Sequence, residues 1–77
     1  MKINLSYSTF IRIDDYPSNS VIEVPENCTV RDLFALLKLP SYLQKSIIAR
    51  VNNEPAWVAT ILQENDSVSL LRALGGG

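Results

Sequence analysis

Along the first thirteen residues Ile3, Leu5, Tyr7, Thr9, Ile11 and Ile13 take the odd positions, while Lys2, Asn4, Ser6 and Ser8 take the even ones. Successive side chains of a strand point to opposite faces, so this period of two predicts one long strand with a buried face. Asp14-Asp15-Tyr16-Pro17-Ser18-Asn19-Ser20 is dense in turn formers, and Val21 to Val24 is again rich in β-branched residues before Pro25. The first quarter of the chain therefore predicts a β-hairpin.

The periodicity then changes. Val30, Leu33, Phe34 and Leu37 follow one another at i, i+3, i+4 and i+7, which gathers them into one apolar stripe of a helix. Thr29-Val30-Arg31-Asp32 has the form of a capping box, in which the Thr hydroxyl and the Asp carboxylate satisfy free amides at the helix start. Pro40 forbids much continuation, so the helix is expected from about Val30 to Lys38. Ser41 to Ser46 reads as a polar connector with room for a short helical turn. Ile47-Ile48-Ala49-Arg50-Val51 reads as a buried strand ending at Asn52-Asn53. Trp57 and Val58 are assigned to a short strand, Glu64-Asn65-Asp66 to a turn, and Ser67 to Arg72 to a last strand with Val68 and Leu70 on one face. One helix packed across a mixed sheet of four or five strands, an α+β arrangement, is the architecture this order predicts.

Seventy-seven residues suffice for a single domain, residues 1–77, near the lower limit for a core without metals or disulfides. An apolar fraction of 47% with 19% charged residues sets the chain apart from disordered sequences. The net charge of −1, with seven scattered Lys and Arg, argues against nucleic acid as a partner. Apolar runs such as Leu33 to Leu37 fall far short of the roughly 20 residues that cross a bilayer. The alternating start has no secretory apolar block, so a cytoplasmic location is expected. Cys28 is the only cysteine and histidine is absent, which excludes an internal disulfide, ordinary zinc sites and His-dependent nucleophiles.

Every glycine lies at Gly75, Gly76 and Gly77, while Asn, Asp, Pro and Ser supply the turns. A glycine tail after a strand is expected to be flexible and, having no Cβ, can thread a narrow channel and present its terminal carboxylate to another protein. A carboxylate becomes a competent acyl donor once ATP has converted it to an adenylate, and the chain would then be a substrate, not a catalyst. The competing reading is a frayed end or a linker remnant.

Three motifs tip that balance. Asn27-Cys28-Thr29-Val30-Arg31-Asp32-Leu33, Val51-Asn52-Asn53-Glu54 and the ending from Leu62 to Gly77 resemble the corresponding segments of the ThiS/MoaD sulfur-carrier family, small ubiquitin-like β-grasp proteins that end in Gly-Gly. The resemblance covers essentially the whole chain. It departs from the family's usual Gly-Asp turn by placing Asn65 where glycine is customary, a substitution that left-handed geometry tolerates. The resemblance implies a β-grasp fold with residues 73–77 as a functional tail. It also implies that an ATP-dependent activating enzyme adenylates Gly77, and that a donor such as a cysteine desulfurase or rhodanese supplies sulfur. The resulting thiocarboxylate would serve an acceptor synthase, with no cofactor bound to the carrier itself. Gly75 and Gly76 would give access. The Arg72-Ala73-Leu74 lead-in resembles the thiamine branch slightly more than the molybdopterin branch, whereas the long first hairpin resembles the latter.

Beside that site, Leu71, Arg72, Ala73 and Leu74 are candidates for partner docking, in competition with plain sheet packing. Cys28, next to the helix cap, reads as structural. Trp57 reads as core or half-buried in a domain this small, with an interface anchor as the alternative. Asp14 and Asp15 are adjacent and would diverge on a strand, so a solvated turn is expected rather than an acid–base pair. A ubiquitin-like protein modifier and a β-grasp interaction domain with an inert tail are the alternatives to a sulfur carrier.

Overall fold

In the computed structural model the alternation at the start of the chain becomes strand β1 (Lys2–Tyr7), with Ile3 and Leu5 buried and Lys2 and Asn4 exposed. The structure is described over residues 1–8, 11, 13 and 15–72. After β1 come β2 (Ser20–Glu23), α1 (Val30–Leu36), α2 (Ser41–Gln44), β3 (Ile47–Val51), β4 (Glu54–Pro55) and β5 (Ser67–Arg72). They form one sheet in the order β2-β1-β5-β3-β4. β1 and β5 are parallel at its centre, and every other neighbouring pair is antiparallel. This is the β-grasp, ubiquitin-like arrangement, α+β with one main helix across a mixed sheet.

The first strand is shorter than its alternation predicts. The Ser8 N–H still donates to the Leu70 carbonyl, but the Ile11 N–H then bonds back to the Ser8 carbonyl and turns the chain. Opposite Tyr7, Ser18 acts in place of a strand partner: its Oγ accepts from the Tyr7 N–H at 3.0 Å and donates to the Tyr7 carbonyl at 3.2 Å. The Tyr7 hydroxyl reaches the Tyr16 carbonyl at 2.7 Å. Ile11 and Ile13 are buried, as their periodicity requires, yet they anchor a loop and do not extend the strand. Thr9 and Asp14 lie outside the described residues.

At the helix start the expected capping box is present: the Asp32 N–H donates to Thr29 Oγ1 and the Thr29 N–H to Asp32 Oδ2, both at 3.1 Å. The end comes slightly before the expected Lys38. There the chain enters the left-handed region, with φ of 58° at Lys38. The Leu39 N–H bonds to the Phe34 carbonyl and the Lys38 N–H to that of Ala35. These two bonds are the Schellman closure, which satisfies carbonyls that the last turn leaves open.

Val30, Leu33 and Phe34 of α1 pack with Ile3, Leu5, Ala49, Val68 and Leu70 from the inner face of the sheet. Leu62, from the segment between β4 and β5, is 2% exposed and closes one side of this core. The left-handed turns are made by Asn19, Asn27, Asn52, Asn53 and Asn65, so the substitution of Asn65 for glycine keeps the geometry the turn needs. Among the described residues no helix is long and apolar enough to cross a membrane.

Candidate functional site

The tail is reached through β5, which lies between β1 on one side and β3 on the other. Val68 and Leu70 point into the core and are essentially inaccessible. The period of two then turns Leu71 to the outer face, where it is 41% exposed and stands opposite Ile48, 48% exposed. This cross-strand apolar pair is uncovered among the described residues. Arg72, the last described residue, is exposed and pairs in register with Ile47. Ala73, Leu74, Gly75, Gly76 and Gly77 lie outside the described residues. Of the four docking candidates, Leu71 and Arg72 thus stand exposed at the end of a strand whose alternate residues are locked into the core.

At the opposite end of β5, where the sequence predicts only a turn, the chain carries a polar device. Asp66 is 8% exposed, a nearly buried carboxylate. Its Oδ2 accepts from the Gln63 N–H at 2.7 Å and its Oδ1 from Asn52 Nδ2 at 3.0 Å. Asn52 Oδ1 in turn accepts from the Ser67 N–H at 2.9 Å, and the Asn52 N–H donates to the Ser67 carbonyl. Two turns distant in sequence are therefore tied together, which sets where β5 begins and the register that carries it to Arg72. The clue was the coincidence of Asn52 and Asp66 in two of the three family-like motifs, since short polar side chains at turns often bond to neighbouring backbone.

Cys28 is buried at 2% exposure, and its thiol donates to the Thr29 carbonyl. Burial first, and the nearby Asp32 carboxylate second, push its pKa upward and disfavour the thiolate. A structural role follows. Asp32 moves the other way: the Thr29 backbone and then the Thr29 hydroxyl hold its pKa below the usual carboxylate value. Asp15 is exposed, as a turn residue should be, while Asp14 lies outside the described residues. Among the described residues no cluster of three or more His, Cys, Asp or Glu could hold a metal ion.

Trp57 contradicts the expectation of core or half-buried packing, because it is 79% exposed. The short strand after β3 is Glu54–Pro55, not Trp57 and Val58. The Ala56 N–H makes one further bond to the Ala49 carbonyl, and the chain then leaves the sheet in a turn closed between Trp57 and Thr60. Ala56, packed against the core, takes the inward place and leaves the tryptophan outside.

Two solved structures share this fold over nearly their whole length. SAMP1 from Haloferax volcanii superposes with a TM-score of 0.72 at 20% identity, covering 100% of both chains. A candidate molybdopterin converting factor, subunit 1, from Pyrococcus furiosus gives a TM-score of 0.72 at 21% identity, over 95% of this chain and 98% of that one. At such identities the likeness establishes the β-grasp fold alone. No match was found among curated proteins. A sequence model of the ThiS family, in contrast, matches residues 7–77, from the end of β1 through the three glycines. The chain belongs to the ThiS family of small ubiquitin-like sulfur carriers, proteins that are carried through a reaction and do not catalyse it.

Proposed function

We propose that this carrier works as a C-terminal thiocarboxylate on Gly77. The observation that supports it most is the family match running unbroken through Gly77. In the first step the Gly77 carboxylate attacks the α-phosphorus of ATP on a separate activating enzyme, and pyrophosphate leaves. A persulfide from a donor such as a cysteine desulfurase or rhodanese then attacks the acyl carbon, and AMP leaves. Thiol reduction of the resulting acyl disulfide releases the thiocarboxylate, which an acceptor synthase consumes. The carrier contributes no cofactor; ATP belongs to the activating enzyme. Gly75 and Gly76, without Cβ atoms, let the tail enter an active-site channel. Leu71, with Ile48 beside it, offers the activating enzyme an apolar foothold next to that tail, and Arg72, Ala73 and Leu74 complete the approach.

Thiamine thiazole synthesis is the favoured destination of the sulfur, on the strength of the family match and the Arg72-Ala73-Leu74 lead-in. The likeness to a candidate molybdopterin converting factor subunit makes molybdopterin synthesis the second reading. Intact-mass analysis after incubation with an activating enzyme, ATP and a sulfur donor tests the mechanism. Exchange of one oxygen for sulfur, mapped to Gly77, is expected. An unchanged mass with an activating enzyme that releases pyrophosphate in the carrier's presence would overturn the sulfur step. Adding the carrier thiocarboxylate to a thiazole synthase and, separately, to a molybdopterin synthase large subunit distinguishes the two destinations.

A further inference from the structure

Between Ala56, packed against the core, and Leu62, buried in it, residues 57–61 form a strap. Its large side chains, Trp57, Val58 and Ile61, are all apolar and exposed, and none of them joins the core. The backbone beneath them is nevertheless pinned. The Trp57 N–H donates to Thr60 Oγ1 at 2.9 Å, and the Thr60 N–H donates to the Trp57 carbonyl at 3.0 Å. The Val58 and Thr60 carbonyls accept from the N–H groups of Arg31 and Val30, donors that the first turn of α1 cannot pair within the helix. The strap is thus tied both to itself and to α1, and it holds Trp57 out from a fixed backbone. An aromatic side chain that the core does not use, displayed from a backbone already ordered, has the attributes of a binding anchor.

The position of the strap points to what covers it. Trp57 and Val58, with Ile47, Ile48 and Ala49 of β3, line a cleft of about 360 Å³ that has only apolar residues in its wall. Ile48 is the residue that stands opposite Leu71, and Ile47 the one opposite Arg72. The apolar surface next to the tail therefore continues from Leu71 through Ile48 into the cleft. A partner that draws Gly77 into its active site lies over the end of β5. A standard interface buries about 800 Å² on each side, a patch about 30 Å across, and neighbouring strands are only about 4.8 Å apart. A footprint of that size around Leu71 reaches across β3 to Trp57.

We propose that Trp57 is a specificity-determining residue for activation: a large apolar side chain of the activating enzyme, Leu, Met or Phe, seats in the cleft against it. The identity of this partner rests on the thiocarboxylate reading. The docking itself precedes the chemistry, so it is measured on the full chain with ATP left out.

Titration calorimetry of the carrier against the activating enzyme of its host is the test. Trp57→Ala should weaken binding about tenfold or more, whereas Trp57→Phe keeps it within about threefold. Val21→Ala, at another exposed apolar residue but on β2 at the far edge of the sheet, should leave it unchanged. Once ATP is added, the loss in Trp57→Ala should appear in the KM for the carrier, with kcat of pyrophosphate release within about twofold, because Gly77 is untouched. No binding of the wild type, equal binding of Trp57→Ala, an equal loss in Val21→Ala, or a loss confined to kcat would overturn the proposal. So would a Trp57→Ala carrier that is activated normally and fails only with an acceptor synthase, which would assign the cleft to that partner. A carrier that binds through Trp57 yet never exchanges oxygen for sulfur would support the docking site and count against the thiocarboxylate reading alone.

Discussion

At the residue scale, the burden of turning the chain falls on asparagine. Among the described residues, five of the six non-glycine residues in the left-handed region are Asn, and the sixth is Lys38. Asparagine tolerates that region by local hydrogen bonding, but lysine has no such compensation. Because Lys38 occupies the position after the helix cap where glycine is usual, Lys38→Gly should raise stability by about 0.5 to 1 kcal/mol, the relief of backbone strain outweighing the added freedom of the unfolded chain. A higher urea midpoint with unchanged slope is the expected reading. Asp66 makes the opposite case. Asp66→Ala leaves the Gln63 N–H and the Asn52 amide without their acceptor in a nearly buried place, a loss of about 2 to 3 kcal/mol. Asp15→Ala, at an exposed turn, should change the midpoint hardly at all.

At the scale of elements, the helix start connects sequence to pH. The Asp32 carboxylate has its pKa lowered by the Thr29 backbone and hydroxyl bonds, so its charged form is favoured by folding. A depressed folded pKa gives a contribution that is present above the unfolded carboxylate value, near 4, and lost as the pH falls through the folded value. Urea midpoints of the wild type and Asp32→Asn are therefore expected to differ at neutral pH and to converge in acid. The same helix shows why some elements were legible in the sequence. Thr29, Asp32 and the stripe of Val30, Leu33 and Phe34 are local signals that nothing distant overrides, and β3 and β5 carry equally plain ones. The failures lie where distant partners decide. The alternation through Ile11 and Ile13 correctly marked burial, but whether a buried position extends a strand depends on the chain opposite, and there Ser18 and a turn took over. Trp57 was assigned by its hydrophobicity, whereas Ala56 and Leu62 had already filled the places a core residue would occupy. The Asn52–Asp66 tie joins residues 14 apart in sequence and has no periodic signature.

At the scale of the whole molecule, the apolar core is drawn from β1, β2, α1, β3, β5 and the loops that connect them, and ends at Leu70 among the described residues. Glycine has no side chain to add to such a core. Deleting Gly75, Gly76 and Gly77 should accordingly leave the unfolding free energy within about 0.5 kcal/mol of the full chain, while abolishing pyrophosphate release by the activating enzyme. A large fall in stability on that deletion would mean that the tail is part of the fold. The placing of β5 between β1 and β3 has a mechanical side as well. A partner that draws the tail into its channel pulls along the axis of β5, parallel to β1 and antiparallel to β3. The load then falls in shear on both ladders of hydrogen bonds together, whereas a strand at the sheet's edge would have only one ladder to resist the same pull. Force-probe unfolding with the load applied through Met1 and the tail should therefore require a higher force than loading that peels β2 from its single neighbour, so the chain can be gripped hard by its end without unravelling.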